Sequence, residues 1–195
     1  DEVDNAKEYR EWQRGYLDMV KERISSIPAD RRLRVFVDRP GNTTAAKGSG
    51  YAEVVEMAGG RNIATDLMGG WQGYYPTVDT EWILKENPDA MVILGFSAGY
   101  EVDDESILKD RYDQVLGVPG FANIKAVKDN KVFVSATPHL LGAGYHIGVL
   151  YFAKWFYPEL FEDLDPQSVH QEFIDRFQHV DYRLDEHGVF AYVPK

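Results

Sequence analysis

Three apolar, β-branched segments punctuate the chain, at Leu33–Val37, Ala90–Phe96 and Lys131–Ala136, and loop-plus-helix patterns separate them. That alternation constrains the fold more than any other feature. Strands joined through helices must run parallel, because a parallel pair needs a long crossover. Ala90–Phe96 is the most hydrophobic of the three, as expected of a strand covered on both faces. Helices are predicted from about Tyr51 to Ala58, from Val78–Glu81 to just before Pro88, from the end of loop 95–104 to about Val115, over Tyr145–Tyr157 and over Pro166–Phe177. Gly59-Gly60 ends the first of these, and Asn62-Ile63 begins a short extended piece. The expected fold is α/β, a three-layer sandwich with a mostly parallel central sheet. A long helix precedes it. Tyr9, Trp12, Tyr16, Val20, Ile24 and Ile27 form one apolar stripe between Asn5 and Ile27, and Pro28 stops the helix, which would be about 33 Å long.

Composition then removes whole classes of function. The chain has 195 residues and a formal net charge of -11, the wrong sign for binding a phosphate backbone. It contains no cysteine, which excludes a disulfide scaffold, a cysteine nucleophile and a Cys-ligated zinc site. No run of about 18 apolar residues could cross a membrane as a helix. The chain opens on Asp-Glu-Val-Asp without a signal-peptide pattern and passes at once into the long helix, so this terminus gives no localisation. The histidines, His139, His146, His170, His179 and His187, show neither His-x-x-x-His nor His-Glu-x-x-His spacing. Neither a metal site nor a cofactor is expected.

In a parallel sheet, ligands meet the loops beyond the carboxyl ends of the strands, here 38–49, 95–104 and 136–144. The segment Trp71-Gln72-Gly73-Tyr74-Tyr75 sets three large rings between glycines, either to staple the loop to the core or to wall a pocket. The expected ligand face is Trp71, Tyr74, Phe96, Tyr100, His139 and Tyr145. His170 and His179 are expected on solvated helix faces. Gly48-Ser49-Gly50 lacks the Gly-Lys-[Ser/Thr] ending of a phosphate loop, and Ser49 reads as an N-cap or as part of an anion cradle. Ser97, in Gly95-Phe96-Ser97-Ala98-Gly99, resembles a nucleophile elbow by letter and carries the rival reading, an α/β hydrolase-like enzyme using His139 and Asp113 or Asp129. An elbow leads straight into a helix, whereas Gly99–Asp104 intervenes here.

The order and spacing of several pieces resemble one family. They are Gly48-Ser49-Gly50 with Glu53 and Met57–Ala64, then Tyr75–Leu84, Asn87–Ile93, Ile124–Phe133, and Gly148 with Ala153-Lys154 and Tyr157-Pro158-Glu159. Together they are similar to the C-terminal lobe of class III periplasmic binding proteins, the iron-siderophore, haem and cobalamin receptors of ABC importers. The likeness covers about Leu33–Asp165. It implies two α/β lobes on a rigid helix, with Asn5–Ile27 as that helix, residues 33–165 as the C-terminal ligand-binding lobe, and residues 166–195 packed back along the helix. The other lobe, with half of the ligand site, would lie upstream. The resemblance further implies capture of a metal chelate in an interlobe cleft without catalysis, an extracytoplasmic location, and contact with the membrane only through the permease or a lipid anchor outside this chain. Glu81 matches the glutamate that pairs with permease arginines in the family, and it also suits the first turn of a helix. Siderophore receptors often carry an arginine in the loop after the strand equivalent to Lys131–Ala136. Here Thr137–Gly144 offers only His139, and the net charge is strongly negative; both count against a highly anionic ferric siderophore and leave a corrinoid, a haem or a less charged chelate open.

Overall fold

A computed structural model describes residues 2–67 and 73–194. In chain order the elements are α1 (Glu2–Ser25), β1 (Arg34–Asp38), α2 (Gly50–Met57), β2 (Arg61–Asn62), α3 (Thr80–Glu86), β3 (Ala90–Gly95), α4 (Ser106–Leu116), α5 (Lys125–Lys128), β4 (Val132–Ala136), α6 (Tyr145–Phe156), α7 (Pro166–Phe173) and β5 (Ala191–Tyr192). One sheet runs in the order β2-β1-β3-β4-β5. All pairs are parallel except β4–β5.

Alternation along the strands divides the interior into two cores. Val35, Val37, Val92, Leu94 and Phe133 point to the flank covered by α1, α2, α6 and α7. Phe36, Met91, Ile93, Val132 and Val134 point to the flank covered by α3, α4 and α5. Every residue of β3 is buried, which is why its sequence is apolar without a break. Side-chain caps fix where helices begin. Ser49 Oγ accepts from Ala52 N at 3.2 Å, and Asp79 Oδ1 accepts from Trp82 N at 2.7 Å. Gly59, at φ 87°, ends α2 where α1 crosses it, and a Cβ there would come within 2.7 Å of Ile24 Cδ1.

The chain leaves β1 for β2 on one side and then returns to β3 on the other. The direction thus switches between β1 and β3, and in such sheets the crevice at the carboxyl ends of the strands flanking a switch is the position that receives ligands.

Residues 166–194 do two different things. Helix α7 continues as one π-helical stretch, Ile174–Gln178, against α1: Trp12 Nε1 donates to Glu172 Oε1 at 2.9 Å, and Arg176 pairs with Glu8 at 2.6 Å. The tail then turns back to the sheet, where Ala136 N donates to Phe190 O at 2.8 Å and Ala191–Tyr192 joins the edge of β4. Two residues are too few to show a strand period, so β5 leaves no mark in the sequence; four-residue α5 is similarly silent.

Candidate functional site

Arg39, directly after β1, sits at the switch-point crevice. Its guanidinium carbon lies 3.7 Å from the centroid of Tyr75, 5.8 Å from that of Tyr51 and 5.7 Å from that of Phe96. Tyr51 and Phe96 meet edge to face at 6.1 Å, and Tyr74 adjoins Tyr75 at 6.5 Å. The loops are held by backbone pairing: Arg39 N donates to Thr43 O at 3.0 Å, Thr44 N to Pro76 O at 3.0 Å and Ala46 N to Tyr74 O at 2.8 Å. A Cβ on Gly48, at φ 87°, would fall 2.9 Å from Tyr74 Cε1, so the glycine seats that ring. Gly50 does the same for Leu141, with 2.4 Å to its Cδ2. The Gly-Ser-Gly turn thus serves as an N-cap and as two seats for side chains at the mouth of the crevice.

One guanidinium dominates the electrostatics here. Arg39 Nη1 bonds Thr43 Oγ1 at 3.1 Å, and among the described residues no carboxylate lies within ion-pair distance of this guanidinium. Aromatic faces attract a cation without neutralising it. Burial, with Tyr75 nearby, pushes the Tyr51 hydroxyl above the usual phenol range against the pull of Arg39, so at neutral pH it keeps its proton. Phe96 is 45% exposed, a large ring left for something to cover. Asp38, one residue before Arg39, is spent differently. It forms an ion pair with Arg111 of α4 beside a cavity of about 300 Å³ that Arg39, Pro40 and Thr43 also line, and burial pushes its carboxyl up to about 6 despite that guanidinium.

The expected ligand face is only partly assembled. Tyr74 and Phe96 belong to the crevice, and Trp71 lies outside the described residues. Tyr145 borders a neighbouring hollow of about 310 Å³ beyond Leu141. Tyr100 turns away from the crevice: its hydroxyl meets His170 Nε2 at 2.7 Å and its ring packs on Phe190 at 4.7 Å. His139 is fully buried, 3.2 Å from Ser135 Oγ, with its ring against Tyr151 and Phe190. The reason is local. His139 O accepts from Gly148 N at 3.0 Å, which draws this part of the loop under α6, and the loop exposes Pro138 and Leu141–Ala143 instead. His170, expected on a solvated face, is also fully buried because the tail covers it. Arg39 lies outside the expected face. The cation beside these rings comes from the Asp38-Arg39-Pro40-Gly41 turn after β1 rather than from the loop after β4, and its signal in the sequence is an arginine at the carboxyl end of a central strand.

Ser97 is exposed, and among the described residues no hydrogen bond joins it to a histidine. Loop 97–105 separates it from α4, so the elbow geometry is absent. Glu81 is exposed in the first turn of α3, where Asp79 already caps the helix. Among the described residues no three histidine or acidic side chains cluster to hold a metal, and no helix is long and apolar enough to cross a membrane.

Residues 1–136 match the sequence family described as Periplasmic binding protein. Molybdate-binding protein MolA of Haemophilus influenzae is 26% identical over 176 residues, covering 86% of this chain and 45% of MolA. The TroA-like periplasmic binding protein FepB of Veillonella parvula shares the fold with a TM-score of 0.79 and 22% identity, over 97% of this chain and 56% of FepB. The crystal structure of molybdate-bound MolA gives a TM-score of 0.71 at 23% identity, over 91% of this chain and 51% of that one. The chain therefore spans about half the length of the relatives it matches. With its mostly parallel sheet and long N-terminal helix, it belongs to the class III periplasmic binding protein family.

Proposed function

We propose that this chain forms one wall of the solute site in the binding protein of an ABC importer, and that the solute is an anionic metal species, either a chelate or an oxyanion. The unneutralised Arg39 over Tyr75, at the switch point of the sheet, carries the reading. A guanidinium on a ring retains its planar donors for an oxyanion or carboxylate. The flanking rings suit the flat or apolar body of a chelate, and MolA, whose ligand is molybdate, shows a related protein taking a metal oxyanion. Arg39 restores an anionic chelate to the candidates beside haem and a corrinoid. No bond is made or broken. Capture occurs between this crevice and a second surface, and Glu81 offers a carboxylate to arginines of the permease, the chain's route to the membrane from an extracytoplasmic position.

Titrating this chain with molybdate, an anionic ferric tris-catecholate, haem and cobalamin tests the proposal. An anionic metal probe should bind, no tighter than micromolar with one wall alone, and Arg39→Gln should weaken it about tenfold or more. Binding that Arg39→Gln leaves unchanged would sink the anion reading.

A further inference from the structure

His139, His146 and His170 have no solvent exposure, and they lie along the seam where α1 and the C-terminal segment meet the lobe. His139 and His170 are 5.9 Å apart by ring centroid. His139 reaches Ser135 of β4, His146 reaches Gln13 of α1 at 3.2 Å, and His170 reaches Tyr100 of the loop after β3. The other nitrogen of each ring, His139 Nδ1, His146 Nε2 and His170 Nδ1, is buried without a partner. Aromatic rings fill the rest: Trp12 and Phe173 stand on His146 at 5.1 and 5.6 Å, and Phe190 stands on His170 at 4.7 Å.

We propose that these three histidines form an acid-sensitive latch that fastens the connecting helix and the segment 166–190 to the sheet. Among the described residues no carboxylate forms an ion pair with any of the three rings. The titratable groups facing the seam are Tyr9 from α1, Tyr145 and Tyr151 from α6, and Tyr100 from the loop after β3; Tyr9 and Tyr100 are pushed up to about 12, and Tyr151 is raised as well, chiefly by burial. Of the carboxylates at its margin, Glu172 of α7 is already paired with Arg176 and accepts from Trp12, and Asp165, near Tyr151, accepts from Gln167 N as the cap of α7. Protonation would bury an unpaired charge in an aromatic layer, at high cost. Burial accordingly lowers His146 and His170 to about 4, with a further push on His170 from His146, and holds His139 well below the usual range. For a histidine whose pKa falls on folding, the unfolded form binds more protons below its own pKa. The latch is therefore intact above about pH 6.5 and weakens as pH drops toward 4. Asp38, on the far flank, shifts the opposite way, and its protonation near 6 favours the folded lobe. Acid should thus loosen the seam before the sheet.

Hydrogen exchange of the whole chain, corrected for intrinsic rates, should show protection in 2–25 and 166–190 falling at least about tenfold between about pH 7 and 4.5 while β3 stays protected. Loss of all segments together, or of none, would overturn the latch. Replacing all three with a neutral side chain, His139→Gln, His146→Gln and His170→Gln, should keep the tail protected at the acid pH. Equal loss in that variant would refute the proposal. Should the variant fail to fold, histidine NMR titration of the unaltered chain decides: three imidazoles neutral down to about pH 5 support the latch, and titration near the ordinary value of about 6.5 overturns it.

Discussion

The crevice around Arg39 and the seam around the three histidines are both aromatic layers attached to the carboxyl ends of the strands, yet they have opposite characters. The crevice is built on a permanent cation and leaves Phe96 exposed and Tyr74 half-buried. The seam is built on neutral imidazoles, and the tail closes over it with Phe190, Tyr182 and Leu184. The rings themselves are of the same kinds. What separates the two regions, among the described residues, is whether a later part of the chain returns to cover them.

The sharpest test of this contrast removes one ring from each layer. Phe190→Ala should cost about 3–5 kcal/mol of stability, since it empties a packed site, whereas Phe96→Ala should cost less than about 1 kcal/mol and weaken solute binding instead. Urea denaturation of both variants measures the difference, and equal losses would erase the distinction. Hydroxyl deletions probe it more gently. Tyr100→Phe strands His170 Nε2 and should cost about 1–3 kcal/mol, while Tyr74→Phe should stay within about 0.5 kcal/mol. The smallest effect compares two carboxylates of one helical turn. Asp79→Ala loses the cap of α3, about 1 kcal/mol, and Glu81→Ala should leave stability within about 0.5 kcal/mol. In the complete transporter Glu81→Ala should reduce uptake without changing solute affinity; normal uptake would remove the docking role.

The layered fold was legible because its signals are periodic. β3 is apolar from Ala90 to Leu94, Ser49 and Asp79 mark helix starts, and Gly59 marks a stop. The site was legible only as far as its loops. Sequence order places Tyr100 and His139 beside the strand ends, but the direction of each side chain depends on the tail, about 70 residues past Tyr100 at His170, and on α6 drawing in His139 O. Arg39 was hidden by the opposite error, since a Pro-Gly turn explains its surroundings without needing the charge. Local patterns say where a loop is; long-range covering decides what it shows.

The order of the sheet has a consequence for the company this chain keeps. Its long strands, β1, β3 and β4, are all interior, and both rims are the two-residue strands β2 and β5. An open rim of unpaired amides is a template on which other chains can stack into aggregates. Arg61–Asn62 and Ala191–Tyr192 are each too short to serve as one, and the apolar edge of β4 lies behind the second of them. Ala191–Tyr192 thus acts as a selvedge, leaving β4 no long open edge on which copies of the sheet could stack.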